Sequence, residues 1–257
     1  MSKKIMALCL TVLLSAMMLA AGCGGGDAKK DSGKVLKIGT NADFAPFEFQ
    51  DVNGKEYAGF DMDLIRGVAK EMGYKAEIQN INFDGLIPAL EAGNIDVIIS
   101  GMTINDTRKQ KVNFSAPYYK SGLTIIVKKD NNAIKQFADL AGKKVAVQIG
   151  TTSAAEVKKI AGVIVKEFNS SADTFMELKA GGVDAVVNDR PVNDYYIMKS
   201  GVKDVKALPD LLTAEDYGIA ISKKNAELLK KVDEALQKMQ KNGEYDKIYK
   251  KWFGEKK

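Results

Sequence analysis

The segment Asp96–Arg108 (DVIISGMTINDTR) gathers residues that could do chemistry. Val97-Ile98-Ile99 reads as a buried strand of a parallel sheet. Asn105-Asp106, just before Thr107-Arg108-Lys109-Gln110, reads as a helix N-cap. Arg108 then falls in the first turn of a short helix, just past a strand's carboxyl end, where open α/β sheets take their ligands. A guanidinium there is a planar fork matched to a carboxylate, and Gly101 lets the backbone come close to a bound molecule. The functional reading is that this segment holds the carboxylate and ammonium of a free amino acid. The plain alternative is a surface arginine beside an ordinary turn.

Composition narrows the other possibilities. The chain has 257 residues, room for one large domain or two lobes, and no histidine. That removes the commonest general base and metal ligand. Of the two cysteines, Cys9 lies in an apolar leader and Cys23 at its end, so triad, thiol and zinc chemistry are not expected, nor is any metal or cofactor. The net charge of +5 falls to about +3 without Lys3 and Lys4. The basic C-terminal excess (Lys247, Lys250, Lys251, Lys256, Lys257) is interleaved with acids and aromatics, as on a solvated helix face. A nucleic-acid surface needs a stronger, one-sided stripe.

Residues 1–22 have the layout of a signal peptide: Lys3-Lys4, the apolar run Ile5–Ala21, then small residues. Leu19-Ala20-Ala21-Gly22-Cys23 resembles a bacterial lipoprotein cleavage box, with Ala20 where leucine is usual, and makes Cys23 the expected lipidation site. Residues 23–34, with GGGDAKKDSGK, read as a lipidated start and flexible tether to the membrane.

Stepping along the chain from there, Val35–Gly39 reads as a strand, and Phe47, Phe49 and Asn53-Gly54 as a hairpin with core phenylalanines. A helix opens at Gly59-Phe60-Asp61, with Leu64, Val68 and Met72 on one face. Tyr74–Gln79 is a strand. Asp84 is placed to cap a helix through Leu86 and Leu90, with Pro88 near its first turn. With Asp96–Ile99 this makes a βαβαβ unit. The pattern restarts beyond Leu123–Val127: strands at Lys144–Gln148, Val163–Phe168 and Val183–Val187 alternate with helices opening near Thr152, Ala172 and Arg190. Helices Asn225–Lys241 and Tyr245–Phe253 close the chain, with Trp252 expected to pack between helices. The expected fold is therefore α/β in two lobes, each a mainly parallel sheet flanked by helices. Residues 35–118 and 217–257 form the first lobe and 122–213 the second. Two hinge crossings near 118–122 and 213–217 would let the lobes close on a ligand in the cleft.

These motifs, taken together, resemble the polar amino acid group of extracytoplasmic solute-binding proteins of ABC importers (family 3), over about Val35–Phe253. The resemblance rests on Gly59-Phe60-Asp61-Met62-Asp63-Leu64, Phe83-Asp84-Gly85-Leu86-Ile87-Pro88-Ala89-Leu90, Ser100-Gly101-Met102-Thr103 with Arg108, Phe114-Ser115-Ala116-Pro117-Tyr118-Tyr119, and Ile248-Tyr249-Lys250-Lys251-Trp252-Phe253. It implies a periplasmic-binding-protein fold of type II and no enzymatic activity. It also implies roles. Arg108 would grip the ligand carboxylate with backbone N–H groups of Thr103 and Thr152. Asp189 would pair with the ammonium, with the Gly101 carbonyl and the Thr103 hydroxyl accepting further bonds. Phe44 and Phe83 would sandwich the ligand side chain, which Asn41, Asp43, Ser100 and Gln148 would also meet. The implied partners are a free amino acid, the permease and ATPase of an importer, and the membrane through the lipid on Cys23, with the protein itself a monomer outside the cytoplasm and no nucleic acid bound.

The pattern closest to this one is that of the glutamine-binding members, and the departures from it bear on the ligand. This chain has Asn41 in place of an aspartate, Gln148 in place of a lysine, Asn188 in place of a histidine and Thr152 in place of a glycine. An amide-lined pocket suits an uncharged polar side chain, so glutamine is favoured. Asp43 or Glu48 could still serve an arginine, lysine or histidine. Two readings from other classes stand behind these: a dehydratase on the same scaffold, using Asp43 or Glu48 as acid or base, and a sensory input module working through a separate partner.

Overall fold

The computed structural model describes residues 33–51, 53–54, 56–199 and 203–255. The expected signal segment, Cys23 and most of the tether lie outside the described residues.

Two five-stranded sheets carry the architecture. In the first, β1 (Lys34–Thr40) pairs in parallel with β5 (Tyr74–Asn80) on one side and β6 (Val97–Ile98) on the other. β15 (Ala220–Ser222) then runs antiparallel to β6, and β7 (Val112–Phe114) antiparallel to β15. The second sheet repeats the scheme. β10 (Lys144–Gln148) lies parallel to β11 (Ile164–Phe168) and β12 (Ala185–Asp189), with β9 (Leu123–Lys128) antiparallel to β12 and β13 (Val205–Ala207) antiparallel to β9. Both sheets are therefore mixed: four strands run one way and one, β15 in the first sheet and β9 in the second, runs against them.

Alternation along the strands explains why both faces are covered. Val97 and Ile99 join Leu36, Ile38, Leu64 and Val68 on one side, while Ile98 joins Leu86, Leu90 and Ile95 on the other. In the second sheet Ile125, Val147 and Val187 share one core and Ile126, Ala146 and Val186 the opposite one. An Asp at the head of the third parallel strand locks each sheet in the same way. The Asp96 carboxylate accepts from the Lys37 backbone N–H, and that of Asp184 from the Lys144 N–H, both at 2.8 Å.

The chain passes from one sheet to the other through β8 (Tyr119–Ser121) and returns through β14 (Glu215–Tyr217). These two strands pair antiparallel, Tyr119 opposite Tyr217 and Ser121 opposite Glu215. A three-stranded sheet of β2 (Asp43–Phe44), β3 (Glu48–Gln50) and β4 (Tyr57–Ala58) forms the expected hairpin region. Phe47 is fully buried there, with aromatic contacts to Phe60, Tyr119, Tyr217 and Phe253.

The helices fall near their expected places: α1 (Phe60–Glu71), α2 (Phe83–Glu91), α3 (Asp106–Lys109), α4 (Thr152–Val157), α5 (Ser171–Ala180), α6 (Arg190–Lys199), α7 (Ala226–Lys241) and α8 (Glu244–Phe253). Two details of α2 differ. The N-cap is Asn82, so Asp84 lies inside the first turn, where its charge still faces the positive end of the helix. Pro88 sits in the second turn, not the first, and forgoes one helical hydrogen bond. Burial of Leu86 and Leu90 against the sheet holds the helix regardless. Trp252 packs edge-on against Phe49 and also donates its indole N–H to Asp63 at 2.8 Å. Among the described residues, no helix is long and apolar enough to cross a membrane, and no group of acids, cysteines and histidines could hold a metal ion.

Candidate ligand-binding site

A tight cavity lies at the carboxyl ends of the parallel strands of both sheets. Its wall is made by Asn41, Phe44, Glu48, Phe83, Ser100, Gly101, Thr103 and Arg108 from the first sheet's side, and Gln148, Thr151, Thr152 and Asp189 from the second. The geometry brings together every residue that the sequence singled out for the ligand, with one exception. Asp43 is not part of this wall: its carboxylate accepts from the Ser171 backbone N–H at 3.1 Å, tying β2 to the head of α5.

Arg108 reaches the cavity because α3 is anchored locally. The Asn105 side chain accepts from the Arg108 backbone N–H at 2.9 Å, the expected N-cap. Arg108 is only 8% exposed, and its guanidinium lies over the Phe83 ring at 5.3 Å from its centroid. It donates to the Thr103 carbonyl at 2.8 Å and, across the cleft, to the Gly150 carbonyl at 3.2 Å, leaving the other donors of its fork for a bound group. Burial lowers its pKa, while Glu215 first and Asp189 second pull it back up. Gly150 makes this approach possible. It sits at φ +78, and a Cβ there would fall 3.1 Å from the Asp84 Cα, so any side chain would push the two sides apart.

Asp189, at the end of β12, accepts two hydroxyl donors on Oδ1, Ser121 at 2.9 Å and Tyr217 at 2.5 Å. Burial, then the nearby Glu215, raises its pKa to about 7, although those two hydroxyls and Arg108 act the other way. A carboxyl held so reluctantly in its charged form is a natural receptor for a cation.

Glu215 was not foreseen. Its position in the crossing strand β14, inside an ordinary-looking Thr-Ala-Glu-Asp-Tyr run, carries no local signal. Yet it is buried, and its Oε2 accepts from the hydroxyls of Thr103 at 2.6 Å and Thr152 at 3.1 Å. It thus joins residues from both sides of the cavity. Thr151, by contrast, is an unforeseen residue of the wall itself. At the other end, Ser100 links two groups: it accepts from the Asn41 backbone N–H at 3.0 Å and donates to Glu48 Oε1 at 2.9 Å. Gln148 donates across the cleft to Asn41 Oδ1 at 2.7 Å. Glu48 is fully buried, and its Oε2 receives no hydrogen bond from any described donor. Burial first, then Asp61, pushes its pKa well above the ordinary carboxyl value.

Residues 36–255 match the family model described as "Bacterial extracellular solute-binding proteins, family 3". The chain belongs to this family. The "Arginine-binding extracellular protein ArtP" of Bacillus subtilis (strain 168) is 36% identical over 258 residues, covering 98% of this chain and 97% of that one. Among solved structures, "An ancestral arginine-binding protein bound to arginine" is 50% identical with a TM-score of 0.84, covering 87% of this chain and 100% of that one. The structure of "An ancestral arginine-binding protein bound to glutamine" is 51% identical with a TM-score of 0.83, covering 86% and 98%. As a family 3 solute-binding protein the chain is a binding protein, not an enzyme, and works outside the cytoplasm. Its two-lobed α/β fold is that of the periplasmic binding proteins.

Proposed function

We propose that this solute-binding protein captures a polar L-amino acid with a cationic side chain, arginine first, and delivers it to the permease and ATPase of an ABC importer. One observation carries the choice of side chain: Glu48, a fully buried acid, lines the cavity, and among the described residues the Ser100 hydroxyl is the one hydrogen-bond donor it meets. A guanidinium supplies both the charge and the further N–H groups that such a carboxylate needs. The relatives named for arginine support the reading. Glutamine, favoured from the sequence, is the second reading. The Asn41–Gln148 amide pair supports it, as does the glutamine-bound structure of the ancestral protein.

The backbone end of the ligand follows from the charges. Arg108, with the backbone N–H groups of Thr103 and Thr152, meets the carboxylate, and Asp189 with the Gly101 carbonyl meets the ammonium. Glu215 orients the site. By taking the hydroxyl proton of Thr103 it turns that oxygen's lone pairs outward, ready to accept from the ammonium. A zwitterion leaving water finds each charge matched, which is the condition for burying it at acceptable cost.

The two lobes, 35–118 with 217–257 and 122–213, turn about the paired crossing strands β8 and β14. Ligand contacts to both sides favour the closed form by their differential affinity. The protein is held at the outer face of the membrane by a lipid on Cys23 and acts as a monomer. Calorimetry with arginine, lysine, histidine and glutamine tests the ligand reading: arginine binds tightest, and glutamine binding with no heat from arginine refutes it. Cys23→Ser releases the protein from the membrane fraction on blotting, and its retention there refutes the anchor.

A further inference from the structure

Behind the cavity wall, Glu48 meets a second acid. Asp61, near the start of α1, is also fully buried. Its Oδ2 accepts from the Gly101 backbone N–H at 2.8 Å and from the Tyr118 hydroxyl at 2.7 Å, and its Oδ1 has no donor. Glu48 uses Oε1 for Ser100 and has no donor for Oε2. The charge of Asp61 acts directly on Glu48, so the two carboxyls are neighbours. Two neighbouring buried carboxyls, each with an oxygen that lacks a donor, are both satisfied by one hydrogen held between them.

We propose that Glu48 and Asp61 share one proton in the free protein, and that a cationic side chain entering the cavity displaces that proton to solvent. The proton resides on Glu48, because Asp61 already receives two donors and Glu48 one. The exchange balances: the guanidinium brings one positive charge to the Glu48 carboxylate, and one proton leaves the pair. A neutral side chain brings no charge and leaves the proton in place, so the same site accepts a guanidinium or an amide by changing its own charge. Asp61 thereby acts as a positioning residue for specificity, through Glu48.

The surroundings agree. The groups acting on the pair are Asp43 from β2, Ser100 from the end of β6, Tyr118 before β8 and, more remotely, Tyr245 from α8. Arg108 and Asp189 line the same cavity. Burial raises Asp61 to about 6, and burial together with Asp61 and Asp43 raises Glu48 well above the ordinary carboxyl value. Asp61 also ties the pair to the ligand loop through Gly101 and to the crossing segment through Tyr118, so the charge of the pair is felt where the lobes join.

This inference rests on the proposed cationic ligand, and the test separates the two. Calorimetry at pH 8 in phosphate and in Tris, whose ionisation enthalpies differ widely, counts the protons released on binding. Asp189 is then mostly ionised, and its contribution is common to both ligands. Arginine is expected to release about one proton more than glutamine, and Asp61→Asn or Glu48→Gln to abolish that excess per arginine bound. Arginine binding with the same proton count as glutamine overturns the shared proton while leaving the ligand reading intact. No heat from arginine overturns the ligand reading instead. In that event carbon-13 carboxyl shifts of the free protein decide the pair by themselves. A Glu48 Cδ shift of the protonated form at pH 7, moving to the ionised form in Asp61→Asn, supports it, and an ionised shift in the wild type overturns it.

Discussion

Glu48→Gln is the sharpest probe of what this cavity was built for. The amide has nearly the volume of the acid and suits the same partners: its oxygen accepts from the Ser100 hydroxyl, and its NH2 donates to Asp61 Oδ1 in place of the shared proton. The variant therefore folds, and losing one of two adjoining buried acids keeps its melting temperature at or above the wild-type value. What it loses is a charge against a ligand cation. A hydrogen bond to a charged group is worth about 1.5–3 kcal/mol, and every 1.4 kcal/mol is about tenfold in affinity. Arginine should bind roughly ten- to a hundredfold more weakly, whereas glutamine should change by less than about threefold. Titration calorimetry of both ligands on both proteins reads this directly. Equal losses for the two amino acids, or undiminished arginine affinity, would show that Glu48 plays a structural part only.

Further outcomes follow from the same geometry. Arg108→Ala removes the cation that Asp189 and Glu215 face in a buried site, where breaking a pair costs about 3–5 kcal/mol. Calorimetry should show every amino acid ligand weakened at least a hundredfold, and an unchanged affinity would refute the grip on the carboxylate. The free protein should be more stable at pH 5.5 than at pH 8 in urea titrations. Asp43 and Asp61 titrate near 6 and Asp189 near 7, all raised chiefly by burial. The native state thus holds more protons than the unfolded chain from about pH 4 to 7, and stability falls as pH rises through that window. A rise across it would contradict these environments. Gly101→Ala puts a Cβ 2.8 Å from Phe44 Cε1 at φ +51, so a loss of about 1–3 kcal/mol should appear as a lower melting temperature. A wild-type melting curve would mean that the loop adapts freely.

Much of this molecule was legible in one dimension. The strand Val97–Ile98, the Asn105 cap and the inward Arg108 were readable because each rests on neighbours within a few residues. The alternation of Val97, Ile98 and Ile99 announced a strand buried on both faces, and the second lobe announced itself by the same rhythm. The crossings at Tyr119–Ser121 and Glu215–Tyr217 showed as breaks in that rhythm. The start of α2 was misread by two residues, because Asn82 caps without a side-chain hydrogen bond and Asp84 looks like a better cap.

What chain order alone could not decide is which acid faces the ligand. Asp43, Glu48, Asp61 and Glu215 all sit in short, ordinary-looking segments, and only the fold sorts them. Asp43 turns to the Ser171 N–H, 128 residues away, while Glu215 closes on the Thr103 hydroxyl, 112 residues away, and Glu48 meets Ser100, 52 residues away. Local propensity sets helices, strands and caps because those bonds are made between near neighbours. The charge of a cavity wall is set by contacts between distant segments, and those exist only once the two sheets have been brought face to face.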